Sequence, residues 1–323
     1  MFDLFQLIQT ANSIAIAGHV RPDGDCVGAC LSMYNYLTCN YNIENNKRID
    51  LYLEKIPEEF TFIKNVKDIK EECREVVEYD LIISLDCGSA DRLGVCGELF
   101  PLAKETVNID HHISNTKFSK YNHVMEASST CEVIFDLFDT SKITKEIAES
   151  LYLGIVHDTG VFKHSNTTEK TMQIAGKLIS LGAEPSKIID ETFYQKTYVQ
   201  NQVLGRCLTE SFLLLDGKIV VASISKKTQE FYNVSPADTN GVIDQLRVTK
   251  GVEVAIFLRE ENFHEYKVSM RSNGIVDVSK IAVFFGGGGH IKAAGCSMTG
   301  SLHDVINNLA IGIEHQLSQD KSK

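Results

Sequence analysis

Through its first 185 residues the chain alternates short apolar runs with segments of helical period. The runs Ser13 to His19 (SIAIAGH), Tyr79 to Asp86 (YDLIISLD) and Thr106 to His112 (TVNIDHH) are strand-like, and each ends in polar or acidic residues. The helical-looking Ser150 to Gly160 (SLYLGIVHDTG) delivers Asp158 into a glycine-terminated turn. Alternation of this kind predicts βαβ units around a doubly wound, mainly parallel α/β sheet. In such sheets ligands collect beyond the carboxyl ends of the strands, and the unusual polar residues of this half fall there or at helix-to-loop junctions. The amino-terminal MFDLFQLIQT lacks the basic start of a secretory signal and is expected to form a helix ahead of the first strand.

Between Pro185 and Arg206 the sequence turns polar, rich in Gln, Lys and Tyr, and predicts a helical linker without a strong apolar stripe. Beyond it strands take over. ESFLLLDGKIVVASIS is two runs joined through Asp216-Gly217, a hairpin signal, and GVEVAIFLREENFHEYKVSMRS predicts a second hairpin. VDVSKIAVF reads as a helix that empties into four consecutive glycines. The expected organisation is a domain over residues 1–185, a linker over 186–206 and a smaller α+β domain over 207–323, with an active-site cleft between the domains and a tail from Ser318 that frays.

Composition narrows the chemistry. Hydrophobic residues make up 43% of the 323 positions and prolines number 5, which excludes disorder and collagen-like structure. With 43 acidic against 32 basic side chains the formal charge is −11, so no general basic field holds long duplex nucleic acid, whereas a few placed cations or metal ions can hold a short anion. The 9 cysteines, without a CxxC pair, read as reduced thiols of a cytoplasmic protein. No apolar stretch reaches the ~18 residues of a membrane span.

In GHVRPDGDCVGA, His19, Asp23 and Asp25 lie around Pro22 and Gly24 directly after an apolar run. Taken alone, the segment reads equally well as a polar turn whose aspartates bond their own backbone. Asp86, Asp110, His111, His112 and Asp158 fall at equivalent ends, however, so one crevice is expected to gather Asp23, Asp25, Asp86 and Asp158. Four carboxylates cannot stay ionised together without compensation, which two divalent cations supply. Carboxylate and imidazole donors without thiolate suit Mn²⁺, Mg²⁺ or Fe²⁺ better than a structural zinc, and a two-metal site suits hydrolytic attack on phosphorus. In the second domain Arg271 stands near a strand end and His290 follows the glycine run of FGGGGHIKAAG, where backbone N–H groups can approach a phosphate or base; on spacing alone a flexible loop is the simpler reading.

GHVRPDGDCVGA, LDCGSADRLG, NIDHHISN, GIVHDTG and GGGGHIKAAG, in this order, resemble the motif set of the DHH phosphoesterase superfamily, and their pairing resembles its nanoRNase and pAp-phosphatase branch. The resemblance implies His19, Asp23 and Asp86 on one metal and Asp25, Asp86, His111 and Asp158 on the other, with Asp86 as the bridge. It implies that His112 faces the scissile phosphate or protonates the leaving oxygen, that Asp110 orients a histidine, and that Arg271 and His290 clamp the far end of a short substrate beside Gly288 and Gly289. The expected activity is an Mn²⁺-dependent hydrolysis of short oligoribonucleotides and linear dinucleotides such as pApA, with removal of the 3′-phosphate of pAp. The rivals are a cyclic-dinucleotide phosphodiesterase, a pyrophosphatase, a single-strand exonuclease and a non-catalytic nucleotide-binding protein. A homodimer is the candidate assembly. Four residues stand apart: His157 and His164 either touch metal or substrate or, the simpler reading, are hydrogen-bonded or solvated, and Cys26 and Cys87, each directly after an expected ligand, are either open to oxidation or, more simply, buried small side chains facing away from the ligands. Arg92 is read as either a phosphate contact or half of a surface ion pair.

Overall fold

Residues 3–42, 47–73 and 77–320 are described by the computed structural model, and they form two compact units, residues 1–195 and 196–323. The first unit is built on six strands, β1 (Ser13–Ala17), β2 (Arg48–Tyr52), β3 (Ile69–Lys70), β4 (Leu81–Leu85), β5 (Glu105–Asp110) and β6 (Tyr121–Val124). They form one parallel sheet in the order β3-β2-β1-β4-β5-β6, the doubly wound order, whose connections reverse between β1 and β4. Helices α1 (Leu4–Thr10), α2 (Gly24–Tyr41), α3 (Thr130–Leu137), α4 (Lys145–Asp158), α5 (Glu169–Ser180) and α6 (Pro185–Ile189) complete it.

Strand alternation sends Ile14, Ile16, Ile83 and Ile109 to the face packed by helices α1 to α6, while Ala15, Ala17 and Ile82 face a smaller cluster with Leu93, Cys96 and Leu99. That second face is covered by three short 3₁₀ turns between residues 90 and 102, because the β4–β5 connection carries Gly94, Gly97 and Pro101 and no helix-length apolar stripe.

The second unit holds α7 (Tyr198–Thr209), α8 (Lys226–Tyr232), α9 (Val242–Arg247), α10 (Val278–Phe284) and α11 (Leu302–Asp320) with strands β7 (Phe212–Leu214), β8 (Ile219–Ile224), β9 (Val254–Asn262), β10 (Glu265–Ser272), β11 (Gly288–His290) and β12 (Ala293–Thr299). Its sheet runs β11-β12-β10-β9-β8-β7 and is antiparallel except for the β8–β9 pair. Asp216 and Gly217, both at positive φ, turn β7 into β8 as the Asp-Gly pair predicts. One sheet face packs α10 and α11 through Val268, Met270, Cys296, Ile281 and Leu309; over β8 and β9 the other face packs α7 and α9 through Val203, Cys207, Leu246 and Phe257.

The segment expected as a helical linker is divided: α6 and a π-helical turn over Asp190–Tyr194 close the first unit, and α7 opens the second by burying Val203 and Cys207. At the other end, α11 continues through Ser318 to Asp320 where fraying was expected; the remaining tail residues 321–323 lie outside the described residues. Among the described residues no helix is long and apolar enough to cross a membrane.

Candidate metal centre and cationic sheet face

The site of the first unit grows from three neighbouring strand ends and two helix ends. Gly18 and His19 follow β1, Asp86 follows β4 and Asp110 closes β5, so the β1–β4 switch point brings His19 Nε2 to 3.4 Å from Asp86 Oδ2. Asp86 is buried and held at φ +53°, a left-handed conformation that costs a non-glycine residue energy and aims its carboxylate back across the crevice. Asp23 caps α2, accepting from the Asp25 and Cys26 N–H groups through Oδ1, which also lies 3.7 Å from His19 Nε2.

Asp25, in the first turn of α2, is 0% exposed and accepts hydrogen bonds from the Thr130 and Cys131 N–H groups at the start of α3 (2.6 and 3.0 Å). Asp158 ends α4, with Oδ2 3.1 Å from His111 Nε2, and the same nitrogen lies 3.7 Å from Asp86 Oδ1. Helix α4 can approach α2 this closely only because of its small residues. A Cβ on Gly28 would stand 2.4 Å from the Ser150 carbonyl oxygen, and one on Gly154 would stand 2.2 Å from Cys131 Sγ and 2.5 Å from Asp25 Oδ1.

Candidate ligand atoms of Asp25, His111 and Asp158 lie within 4.8 Å of one another, as do those of His19, Cys26 and Asp86, and those of Asp86, Asp110, His111 and His112. Five of the six residues expected as metal ligands fall in these groups, with Asp86 and His111 each shared between two; Asp23 lies outside them, its Oδ1 3.7 Å from His19 Nε2. Two features fit divalent cations. His19 Nδ1 lies 2.9 Å from the Val20 carbonyl and His111 Nδ1 3.3 Å from that of Ala127; with the proton on Nδ1 as donor, each ring directs a lone pair on Nε2 into the crevice. The carboxylates are also compensated here by protons alone. Burial and the charges on Asp86 and Asp158 push the Asp25 carboxyl well above the usual range, and burial with Asp86 raises Asp158. Burial opposes charge on the imidazoles, yet Asp23 and Asp86 outweigh it at His19, and Asp158 outweighs it at His111, raised to about 10. Protons gather where a metal would bring positive charge.

His112 stands beside this centre, its Nδ1 donating to Asp110 Oδ1 at 2.7 Å. Asp110 is wholly buried and also accepts from the His111 N–H and from Asn115 Nδ2, and His112 with Asn115 holds its carboxyl below the usual range despite burial. Two participants carried no assignment from sequence. Asn115 pins Asp110, and Thr130 donates its N–H to Asp25 and its Oγ1 to Asp86 Oδ1 at 2.9 Å. The legible signal for Thr130 was Ser129-x-x-Glu132 ahead of an apolar run, a helix-start pattern that Ser129 fulfils as the cap of α3.

The residues that stood apart resolve differently. The His157 ring packs on Gly24, Phe60 and Phe193, and burial lowers its pKa to about 4: it is a neutral wedge outside the ligand groups. His164 is exposed and lies over Gly160, with Nδ1 3.3 Å from the Asp158 carbonyl. Cys26 and Cys87 are both buried, and burial pushes the Cys87 thiol up to about 12, so neither is a reactive thiolate; Cys26 Sγ nevertheless accepts from the His19 N–H and faces the ligands. The Arg92 carbonyl accepts from the Val20 N–H, and its side chain forms no ion pair among the described residues.

In the second unit, register places Arg271 opposite Ala293 and His290 opposite the same Ala293, so Arg271 and His290 lie in one row across β10, β12 and β11. The glycine run is ordered as the edge strand β11 and the turn before it. Cβ atoms on Gly287 and Gly289 would meet the Gly295 and Ala293 carbonyls at 2.2 and 2.5 Å, whereas Gly288 leaves open space.

Comparison with known proteins agrees with this architecture. Residues 13–155 match the DHH family N-terminal domain and residues 216–314 the DHHA1 domain. The chain is 29% identical over 294 residues to the bifunctional oligoribonuclease and PAP phosphatase NrnA of Thermus thermophilus, covering 89% of this chain and 84% of that protein. It is 26% identical to the protein of the same name from Bacillus subtilis, covering 92% of each. The solved structure of an exopolyphosphatase-related protein from Bacteroides fragilis has a TM-score of 0.81 and 26% identity, covering 96% of this chain and 94% of that one. With a DHH domain whose acids and imidazoles cluster at the strand ends, followed by a DHHA1 domain, the chain belongs to the DHH family of phosphoesterases and is a hydrolase.

Proposed function

We propose that this chain is a cytoplasmic, Mn²⁺-dependent phosphoesterase that hydrolyses short oligoribonucleotides and linear dinucleotides such as pApA and removes the 3′-phosphate of pAp. The observation that carries this reading is the convergence of Asp25, Asp86 and Asp158, with Asp23 at their margin 3.7 Å from His19, on two imidazoles whose Nδ1 atoms are already paired, in a chain whose relatives carry the oligoribonuclease and PAP phosphatase name. His19, Asp23, Asp25, Asp86, His111 and Asp158 hold two divalent cations, which when bound supply Lewis-acid stabilisation of charge on the phosphoryl group and lower the pKa of an attacking water.

The remaining steps belong to the protein's own groups. The left-handed backbone at Asp86 and the Thr130 hydroxyl orient its carboxylate before substrate arrives. Asp110 fixes the His112 ring through Nδ1, so Nε2 is the atom that meets the scissile phosphate or passes a proton to the leaving oxygen. In the second unit the row of Arg271 and His290 holds the part of the substrate that is not cleaved.

The test is turnover of pApA, pAp and a 24-nucleotide RNA side by side with Mn²⁺, with Asp86→Ala as control. Fast cleavage of the short substrates alone, lost in the variant, is expected. Rapid processing of the long RNA would move the protein to the single-strand exonuclease reading, and no turnover of any substrate by metal-loaded protein would refute the assignment.

A further inference from the structure

Helices α7 and α9 cover the second sheet over β8 and β9 and stop there, so the same face of β10 carries Lys267, Ser269 and Arg271 open to solvent or half-buried. At this step lies a cavity of about 400 Å³, entirely within the second unit, walled by Asn240 and Asp244 on one side and floored by Phe257, Arg259, Lys267 and Arg271. Three cations around one concavity stand out in a chain of net charge −11.

The cations are not equivalent. Arg271 lies 3.5 Å from Asp244 Oδ1 and Arg259 2.7 Å from Glu261 Oε1, while Lys267 has no ion-pair partner among the described residues. Register sets Lys267 directly opposite Arg259 and Ser269 opposite Phe257. The cavity thus has two cationic ends, Lys267 with Arg259 at one and Arg271 at the other, separated by the Ser269–Phe257 rung. Four residue steps of strand, about 13 Å, separate the backbones of Lys267 and Arg271, too far for one phosphate to satisfy both by its own width. The rung between offers a hydroxyl and an aromatic edge, the surroundings of a ribose or base.

We propose that Lys267 and Arg259 form a second anion subsite, one that takes the terminal phosphomonoester of a short nucleotide chain whose next unit reaches Arg271. Arg259 supplies a planar fork and Lys267 an uncompensated point charge, a combination suited to a dianionic phosphate more than to a diester. The subsite rests on the proposed function only for the identity of the chain it grips.

The test measures binding to the full-length protein in EDTA, where no hydrolysis intervenes, by calorimetry with pApA and with its 5′-hydroxyl counterpart ApA. The wild type is expected to prefer pApA by about tenfold or more, the worth of one good charge-assisted contact pair. Lys267→Ala is expected to reduce that preference to about twofold, and Lys267→Arg to retain most of it. The ratio of two affinities on one protein is insensitive to a partly unfolded sample. Inorganic phosphate, added as competitor, is expected to erode the preference in the wild type. A preference that survives both Lys267→Ala and Arg259→Ala, or phosphate competition that is identical in wild type and Lys267→Ala, would overturn the subsite. Failure of the wild type to hydrolyse either dinucleotide with Mn²⁺ would instead overturn the proposed function, and the metal-free ratio keeps the two failures apart.

Discussion

In the first unit both faces of the sheet are covered, and β4 is buried at all of its positions; in the second, β10 alternates buried and accessible residues along its length. A sheet closed on both faces can present chemistry only at its strand ends, so the first unit assembles acids and imidazoles from loops that follow β1, β4 and β5. A sheet covered on one face over β10 to β12 can present side chains two residues apart as a patterned surface, which is how Lys267, Ser269 and Arg271 come to face the same way. Charge follows the same division. The acidic excess of the chain lies in the first unit, which gathers its carboxylates at the strand ends, while in the second unit basic and acidic side chains nearly balance and three cations line one hollow.

The largest expected effect comes from breaking the strand-end centre while leaving its backbone intact. Asparagine tolerates the left-handed φ of Asp86, so Asp86→Asn removes the shared negative charge with little strain. Activity on dinucleotides should fall by about three orders of magnitude, equivalent to ~4 kcal/mol of transition-state stabilisation, with the melting temperature of the metal-free protein essentially unchanged. Activity within tenfold of wild type, with the Asn confirmed by mass, would remove Asp86 from the centre.

Next in size is a steric test of how helices α2 and α4 bring Asp25 and Asp158 together. Gly154→Ala introduces a methyl into space already held by Cys131 Sγ and Asp25 Oδ1, and should cost about 1–3 kcal/mol in urea unfolding while weakening Mn²⁺ binding at the same time. Loss of stability without loss of metal affinity would mean that the helix contact is structural and not a determinant of the site.

The open sheet face is tested more gently. Arg271→Ala should raise KM for pApA about tenfold and leave kcat near the wild-type value, because a group that holds the uncleaved part of a substrate contributes equally to ground and transition states. A fall in kcat at unchanged KM would place Arg271 in the chemical step and dissolve the division of labour between the units.

The contrast also marks what a sequence discloses. Periodicity and the polar ends of SIAIAGH, YDLIISLD and TVNIDHH placed the strands and the converging acids, since a strand's alternation is written in adjacent residues. Close approach is not written that way. Gly28 and Gly154 matter through the Ser150 carbonyl and Cys131 Sγ, which only the packed helices bring near, and His157 is a wedge because Phe60 and Phe193, about 97 and 36 residues away, close on its ring. The covering of the second face of the first sheet by 3₁₀ turns was hidden for a related reason. Turns of three residues have no period to detect, and their burial is a property of the sheet beneath them.

The smallest effect separates glycines that the fold requires from glycines that it merely carries. Gly205 sits mid-way through α7 on its exposed side, has no positive φ, and a Cβ there would meet nothing within 4 Å. Gly205→Ala should therefore stabilise the second unit by about 0.5–1 kcal/mol, through lower entropy of the unfolded chain and a better helix interior, with dinucleotide turnover unaltered. Opposite signs for Gly205→Ala and Gly154→Ala in the same unfolding assay are what the two environments demand. If both substitutions destabilised the protein, the open face of α7 would have to be covered in solution by a surface that the isolated chain does not supply.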